Sequence, residues 1–589
     1  MKDKRRNHPR PQFMREDWQD LAGQWQFVFD DKNEGILNEW FNGLTEYKII
    51  NVPFTYETKL SGIDDGSHHE VVWYEKTFEI NDIKNMSLIF EGVDYNTQVW
   101  LNGQLLGSHE GAYERFSFDI SDYLKVGTNR IVVRVEDSLD CEQPRGKQRW
   151  LKDNFGCWYV QTTGIWKTVW LEEHSASQYL ELVKMTPDLD QDKIILAPQL
   201  HNSLHRYQTQ YQFEATIRFQ DEIVNQYRGM LNHELVPIAL DTRVKEDACW
   251  GTKTWSPENP HLYDITFCLY DIAGNLLDKV ESYFGMRKIS IENGQVLLNN
   301  RQLYQRLILD QGYWEESGIT PPSVEALELD IDRIFAMGYN GLRKHQKIED
   351  ERFLYLCDLK GMLVWSEMAS TYVFNDIAAK NFTNEWQEII EQNYNHPSII
   401  TWVPFNESWG IKAIDYDKQQ QAFTEGIYHL TKTYDAMRPV ITNDGWVHTI
   451  SDIVTLHDYE EFGEVFASRY ESKERILENK IQFNKDFYAF AQGYEYQGQP
   501  VIISEFGGIA FSTEQAGEWG YGNQVQNETD FMNRFEKIHH VIQNLDYIVG
   551  FCYTQLTDVQ QEVNGLLNIN REPKVDLEKV AKINRRRTK

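Results

Sequence analysis

The chain has 589 residues, enough for about three or four domains at ~150 residues each, or fewer if one is a barrel. A formal charge of -31 repels nucleic acid and anionic membrane, and no run approaches the ~20 apolar residues of a membrane span. Six scattered cysteines (Cys141, Cys157, Cys249, Cys268, Cys357 and Cys552) form no metal-ligand spacing, which suits a reduced, cytoplasmic protein without metal or other cofactor.

The basic start, Lys2 to Arg10, leads into no apolar signal segment; it and the basic end, Arg585 to Lys589, read as solvated tails. Residues 13–175 then read as β. The run Val72-Trp73-Tyr74-Glu75-Lys76-Thr77-Phe78-Glu79-Ile80 alternates, and Thr97-Gln98-Val99-Trp100-Leu101 meets Asn102-Gly103 before Gln104-Leu105-Leu106-Gly107. Asn-Gly between strands is a hairpin signal, because both residues tolerate positive φ. Further runs at 131–135 and 166–171 complete the pattern of a jelly-roll β-sandwich. Residues 176–285 stay β, with strand patterns at 211–217 and 263–269, and their length suits an immunoglobulin-like sandwich.

After Gly285 the texture changes. The spacing predicts a helix over 322–338, and eight strand-like runs lie near 303–309, 339–343, 362–367, 399–405, 439–443, 453–457, 501–505 and 549–555. Strand–helix alternation over residues 286–589 is the pattern of a (β/α)8 barrel, whose active site lies at the C-terminal ends of its strands. Glu367, Glu407 and Glu505 each end such a run. Two carboxylates about 5 Å apart suffice for retaining glycoside hydrolysis, one giving a proton and the other attacking the anomeric carbon. Spacing does not choose the pair, and a strand-end glutamate as often ties down a neighbouring loop.

The sandwich carries Val72-Trp73-Tyr74, Val99-Trp100-Leu101-Asn102-Gly103 and Thr163-Gly164-Ile165-Trp166-Lys167-Thr168-Val169-Trp170-Leu171-Glu172. The barrel carries Asn395-His396-Pro397-Ser398-Ile399-Ile400-Thr401-Trp402 ahead of Asn406-Glu407, and then Ser504-Glu505-Phe506-Gly507. In this ordered set the chain resembles glycoside hydrolase family 2, the family of β-galactosidases, β-glucuronidases and β-mannosidases. The resemblance implies an exo-acting retaining β-glycosidase with Glu407 as acid/base, Glu505 as nucleophile and Tyr459 holding the nucleophile. It places Asn406 on the sugar 2-hydroxyl and leaves Glu367 a structural role.

The chain also departs from the family pattern. Arg343 matches an Arg-x-x-His stretch, but Gln346 stands where histidine is expected; Leu309-Asp310-Gln311-Gly312-Tyr313-Trp314 replaces an Arg-His stretch; and Tyr553 stands for a tryptophan under the sugar. Asp310, Gln311, Arg343, His345, Gln346, Trp446, Tyr553, Gln555 and Asp558 are the candidate sugar contacts. Trp314 and Trp409 are further candidates for a ring wall. The Asn-x-Lys motif that holds a uronate in β-glucuronidases is missing from 560–567, which favours a β-galactosidase. A β-glucuronidase or galacturonidase remains the alternative, since Arg145, Lys147 and Arg149 lie in a sandwich loop able to reach the barrel mouth. A non-catalytic carbohydrate-binding protein on the same scaffold is the reading of a different class. His457, Asp458 and Glu460 are close in sequence, but neighbours on a strand point apart and do not converge on one ion. The expected partner is a carbohydrate; a homo-oligomer is left open.

Overall fold

Alternation along the first sandwich sorts its residues onto two packed sheets. One has four strands, in the order Trp18–Asp20, Val169–His174, Asn85–Phe90, Phe116–Asp119; the other has six, Lys48–Val52, Gly23–Phe29, Val71–Ile80, Gly127–Glu136, Asn96–Leu101, Gln104–Glu110. Phe27, Tyr74, Leu88, Val99, Val133 and Leu171 meet between them. The hairpin turns at Asn102 (φ 54°) and Gly103 (φ 81°), the positive angles its sequence signalled. This is a computed structural model, and it describes residues 2–201, 210–231, 237–246, 249–512 and 517–586.

The second sandwich packs the sheet Leu180–Asp188, Lys193–Leu200, Ile238–Asp241 on the sheet Glu222–Leu231, Tyr211–Phe219, Tyr263–Tyr270, Leu276–Phe284. The basic start is not a solvated tail. Its helix Lys2–Asn7 docks on this domain, where the Arg5 guanidinium meets Asp264 at 2.5 Å and the Ser282 carbonyl at 2.6 Å. Arg15 is clamped by Asp278 and by Glu172 at 2.7 Å. In so acidic a chain, carboxylates on the sandwiches recruit the guanidinium groups available nearby. At the other end Arg585 donates to the Phe335 carbonyl and Arg586 pairs with Glu536; residues 587–589 lie outside the described residues.

The barrel strands are β1 (Gln305–Asp310), β2 (Gly341–Lys344), β3 (Leu363–Glu367), β4 (Ile399–Val403), β5 (Asn443–Asp444), β6 (Val454–Asp458), β7 (Val501–Phe506) and β8 (Ile548–Tyr553). Seven form one parallel sheet in the order β4-β3-β2-β1-β8-β7-β6. The fifth fills the gap: Asn443 pairs with Phe405 just beyond β4, Trp402 bridges Val440, and the His457 amide donates to the Gly445 carbonyl at 3.1 Å. All eight strand-like runs thus contain barrel strand, the fifth reduced to two residues. The helix predicted over 322–338 is Val324–Ala336, capped by Ser323 and stopped before Gly338 at φ 83°.

Inside the barrel Leu307, Leu309, Leu363, Trp365, Val403, Ile502 and Cys552 pack with Ile289, Val296 and Leu298. The last three belong to a small sheet (Ile289–Glu292, Gln295–Leu298, Arg301–Gln302) that stoppers the N-terminal end. The C-terminal end is therefore the end left for a site. No helix among the described residues is long and apolar enough to cross a membrane.

Candidate active site

Arg343 organises the C-terminal end of the barrel. It leaves β2 toward the axis, fully buried, beside Leu309 of β1 and Trp365 of β3 in the strand register. Its Nε donates to Glu367, Nη1 to Glu505 at 2.7 Å and Asp444 at 2.6 Å, and Nη2 to Asn406 Oδ1 at 2.6 Å. One guanidinium thus ties together the ends of β3, β4, β5 and β7. Burial opposes charge on Asp444, yet Arg343 and His457 hold its carboxyl well below the usual range. Burial prevails at Glu367, whose carboxyl is pushed up despite Arg343.

His457 of β6 is the second junction. Its Nδ1 is 2.9 Å from Glu407 Oε1 and 3.6 Å from Glu505 Oε2, and its Nε2 is 3.0 Å from Asp444 Oδ2. Burial alone would favour the neutral ring, but Glu505, Asp444 and the hydrogen bonds to Asp444 and Glu407 raise it to about 10. The same contact, with help from Lys147 and Arg343, lowers the Glu407 carboxyl against the effect of burial. Glu407 and Ser408 both have positive φ, 51° and 59°, uncommon for residues with a Cβ. Their amides are held by the Asp444 carbonyl and Asn443 Oδ1, both at 2.9 Å, so β5 fixes the turn that presents Glu407.

Glu505 ends β7. Tyr459 donates its hydroxyl to Oε2 and lies 3.2 Å from Thr554 Oγ1. The Tyr459 ring stacks on Tyr521 with centroids 3.4 Å apart. Burial and the adjacent Glu505 push the phenol well above its ordinary range, so it stays a donor.

The remaining candidates divide. His345 Nδ1 lies 2.9 Å from Glu367; burial first, then the charges of Lys147 and Arg343, keep the ring neutral. Gln346 accepts from the Ser370 amide, and its Nε2 makes no hydrogen bond; the same is true of Asn406 Nδ2 and Gln311 Oε1. These buried, unpartnered atoms suit a ligand rich in hydroxyl groups. Trp446 stacks on Phe487 (4.1 Å, 6°) and meets the His457 ring edge-on. Trp446 and Phe487, with Trp409, Tyr488 and Glu407, line a cavity of about 580 Å³. A larger one, about 720 Å³, lies beside the docked N-terminal segment and shares none of these residues.

Asp310 and Tyr553 are not brought to this site. Asp310 pairs with Lys344 at 2.5 Å and accepts from the Gly312 amide, on the helix-facing side of the strands. The Tyr553 ring packs on Phe506, Phe535 and His539, also outside the barrel wall. Their neighbours Leu309 and Cys552 face the axis instead. Asp558 is bound by Lys574 at 2.7 Å, and Trp314 packs against Arg571 and Lys347. Asp458 and Glu460 turn away from His457 to Arg469.

Several site residues escape a reading of the sequence. Asp444 lies one residue beyond the fifth apolar run, and His457 shares a strand face with Tyr459 by the two-residue period. Glu562, in the loop after β8, accepts from Tyr159 and from Asn564 at 2.9 Å; no pattern signals it. Of the three basic residues in the sandwich loop, Arg145 and Arg149 bond within their own surroundings, to the carbonyls of Ser138 and Gly66 among others. Lys147 enters the site. Its ammonium lies 3.3 Å from Cys157 Sγ, and among the described residues it forms no salt bridge with a carboxylate.

Comparison with known proteins agrees with this architecture. The chain is 28% identical over 422 residues to a putative β-glucuronidase of Formosa agariphila, covering 69% of this chain and 48% of that one. It therefore spans about half the length of that relative. It is 24% identical to a β-galactosidase of Thermoanaerobacter pseudethanolicus (86% and 68% covered) and 21% identical to a β-glucuronidase of Streptococcus agalactiae (94% of each). In three dimensions it matches the β-glucuronidase of Ruminococcus gnavus in complex with D-glucuronic acid, with a TM-score of 0.77, 18% identity and 97% of both chains covered. Models of the glycosyl hydrolases family 2 match throughout: the sugar binding domain over residues 18–174, the central domain over 178–287 and the TIM barrel domain over 289–586. With its three domains matched in the order in which they fold, the chain belongs to glycoside hydrolase family 2.

Proposed function

We propose that the chain is an exo-acting retaining β-glycosidase with Glu505 as nucleophile and Glu407 as general acid/base. One observation carries this reading: oxygens of the two carboxylates, together with His457 Nδ1, lie within 4.8 Å of one another. That closeness favours direct attack on the anomeric carbon over the wider gap that inversion requires. Glu505, oriented by Arg343 and Tyr459, attacks as the bond to the leaving oxygen breaks. Glu407 protonates that oxygen, and later takes a proton from the water that releases the sugar from Glu505. Asn406 is placed for the 2-hydroxyl, its oxygen held by Arg343 and its amide nitrogen free to donate. In the free enzyme the Glu407–His457 pair shares one proton, which rests on His457 and reaches the leaving group through Glu407.

For the sugar, the favoured reading is a neutral glycon, a β-galactoside first. The loop after β8 lacks the Asn-x-Lys motif that the family resemblance implies for a uronate and presents buried Glu562, and Lys574 is bound by Asp558. One observation favours a second reading, a uronide: the Lys147 ammonium has a thiol, not a carboxylate, as its hydrogen-bond partner. Five cysteines with free thiols support a reducing, cytoplasmic setting.

The test combines two measurements. Glu505→Ala and Glu407→Gln should each lose nearly all turnover, with azide restoring the first more than the second; an active Glu505→Ala chain sinks the mechanism. A panel of nitrophenyl β-galactoside, β-glucuronide, β-mannoside and β-glucoside decides the sugar. Preference for the glucuronide, lost in Lys147→Met, would establish the second reading.

A further inference from the structure

Three side chains from separate elements converge at the seam between the first sandwich and the barrel, away from Glu407 and Glu505. His109 lies on the edge strand Gln104–Glu110, Glu114 in the turn that follows, and Glu388 on the helix Asp376–Asn393 after β3. His109 Nε2 is 3.4 Å from Glu114 Oε1 and 3.5 Å from Glu388 Oε2, and the three atoms lie within 4.8 Å of one another. A charge-assisted hydrogen bond would draw such groups to about 2.7–2.9 Å. Neither ring nitrogen of His109 makes a hydrogen bond, and neither does Glu114 Oε1. The two His109–carboxylate separations match neighbouring ligands of a tetrahedral ion, which stand roughly 3.3 Å apart when bonds are about 2.0–2.1 Å.

The surroundings are built to hold these atoms in place. Glu114 is 1% exposed. A Cβ on Gly111, whose φ is +146°, would sit 1.6 Å from Glu114 Oε1, so glycine is what lets the carboxylate fold back beneath the imidazole. The Phe116 ring stacks on His109 (4.2 Å, 10°) and fixes its plane. One turn before Glu388, Glu385 adds a buried carboxylate whose Oε1 also lacks a partner. A buried carboxylate oxygen left without a hydrogen bond, as Glu114 Oε1 is, is costly unless a cation joins it.

We propose that His109, Glu114 and Glu388 bind one divalent transition metal of zinc-like chemistry, which staples the first sandwich to the barrel. One imidazole nitrogen and two carboxylate oxygens are ordinary ligands for such an ion, with water completing the set. The Glu388 side chain, 49% exposed, gives the ion its way in from solvent.

The test uses the full chain, stripped with chelator and dialysed, then titrated calorimetrically with zinc chloride and checked by elemental analysis. One equivalent should bind, at least tenfold more weakly in His109→Ala and in Glu388→Gln. The melting temperature should rise by several degrees with zinc in the parent and in neither variant. Glu388→Gln changes a half-exposed group and keeps the fold measurable. Glu505→Ala should bind zinc like the parent, which separates this site from the glutamates of the barrel. Failure to take up zinc, or an equivalent that both seam variants retain, overturns the proposal.

Discussion

Replacing His457 by asparagine removes the cation that stands among Glu407, Asp444 and Glu505. The ring holds its proton up to about 10 in the folded chain, against an ordinary 6.5. Each pH unit of that difference is worth about 1.4 kcal/mol, so the net preference of the folded chain for the imidazolium, after burial is offset, is about 5 kcal/mol. Because the folded value lies above the unfolded one, this stabilisation is fully present below about pH 6.5 and is lost as pH rises through about 10. The parent should therefore lose urea resistance over that window, and His457→Asn should abolish that part of the slope. Activity should report the same pair. Glu407 loses the ring that hydrogen-bonds its carboxylate, and a carboxyl alone gives up its proton well before an imidazolium does. The alkaline limb of kcat/KM should move down by more than one pH unit. The assays are urea midpoints by tryptophan fluorescence at pH 6 to 9.5 and a pH–rate profile on the best nitrophenyl glycoside. Unchanged alkaline limbs, with parallel stability curves for the two chains, would refute the shared proton.

Tyr459→Phe removes a donor to a charged carboxylate, a bond worth about 1.5–3 kcal/mol, so turnover should fall about 10- to 150-fold with little change in melting temperature. Asp310→Asn should leave KM within about twofold, because its carboxylate serves Lys344 rather than the sugar, while a thermal melt registers the weakened buried pair. A large rise in KM would return Asp310 to the site.

Strand parity explains where sequence reasoning succeeds and where it does not. Outer and inner faces of a parallel barrel strand are both buried, so a run such as Leu307-Ile308-Leu309-Asp310 shows its extent but not which residues face the axis. Position alone assigns Asp310 and Tyr553 inward, whereas the register places them beside Lys344 and Ile308 on the outer face. Glu407, Glu505 and Tyr459 stand out through the family resemblance, and the structure joins Glu505 to Arg343 and Tyr459, and Glu407 to His457. His457 is legible in principle, two residues before Tyr459. Glu562 and Lys147 reach the site on loops, where no periodicity encodes direction. The docking of Arg5 and Arg15 depends on acidic partners more than a hundred residues away, which a local reading of a basic stretch does not reveal.

The sandwich loop that brings Lys147 and Tyr159 to the barrel mouth makes the pocket joint property. Severing the chain between Phe284 and Ile289 would leave a barrel with its arginine hub and both glutamates but with one wall missing. On the proposed function, such a fragment would keep both carboxylates and lose the wall that Lys147 and Tyr159 supply. Drift at the seam between the two domains would then bear on selectivity. A change in which sugar is accepted can thus arise far from the carboxylates, in residues that never touch a substrate.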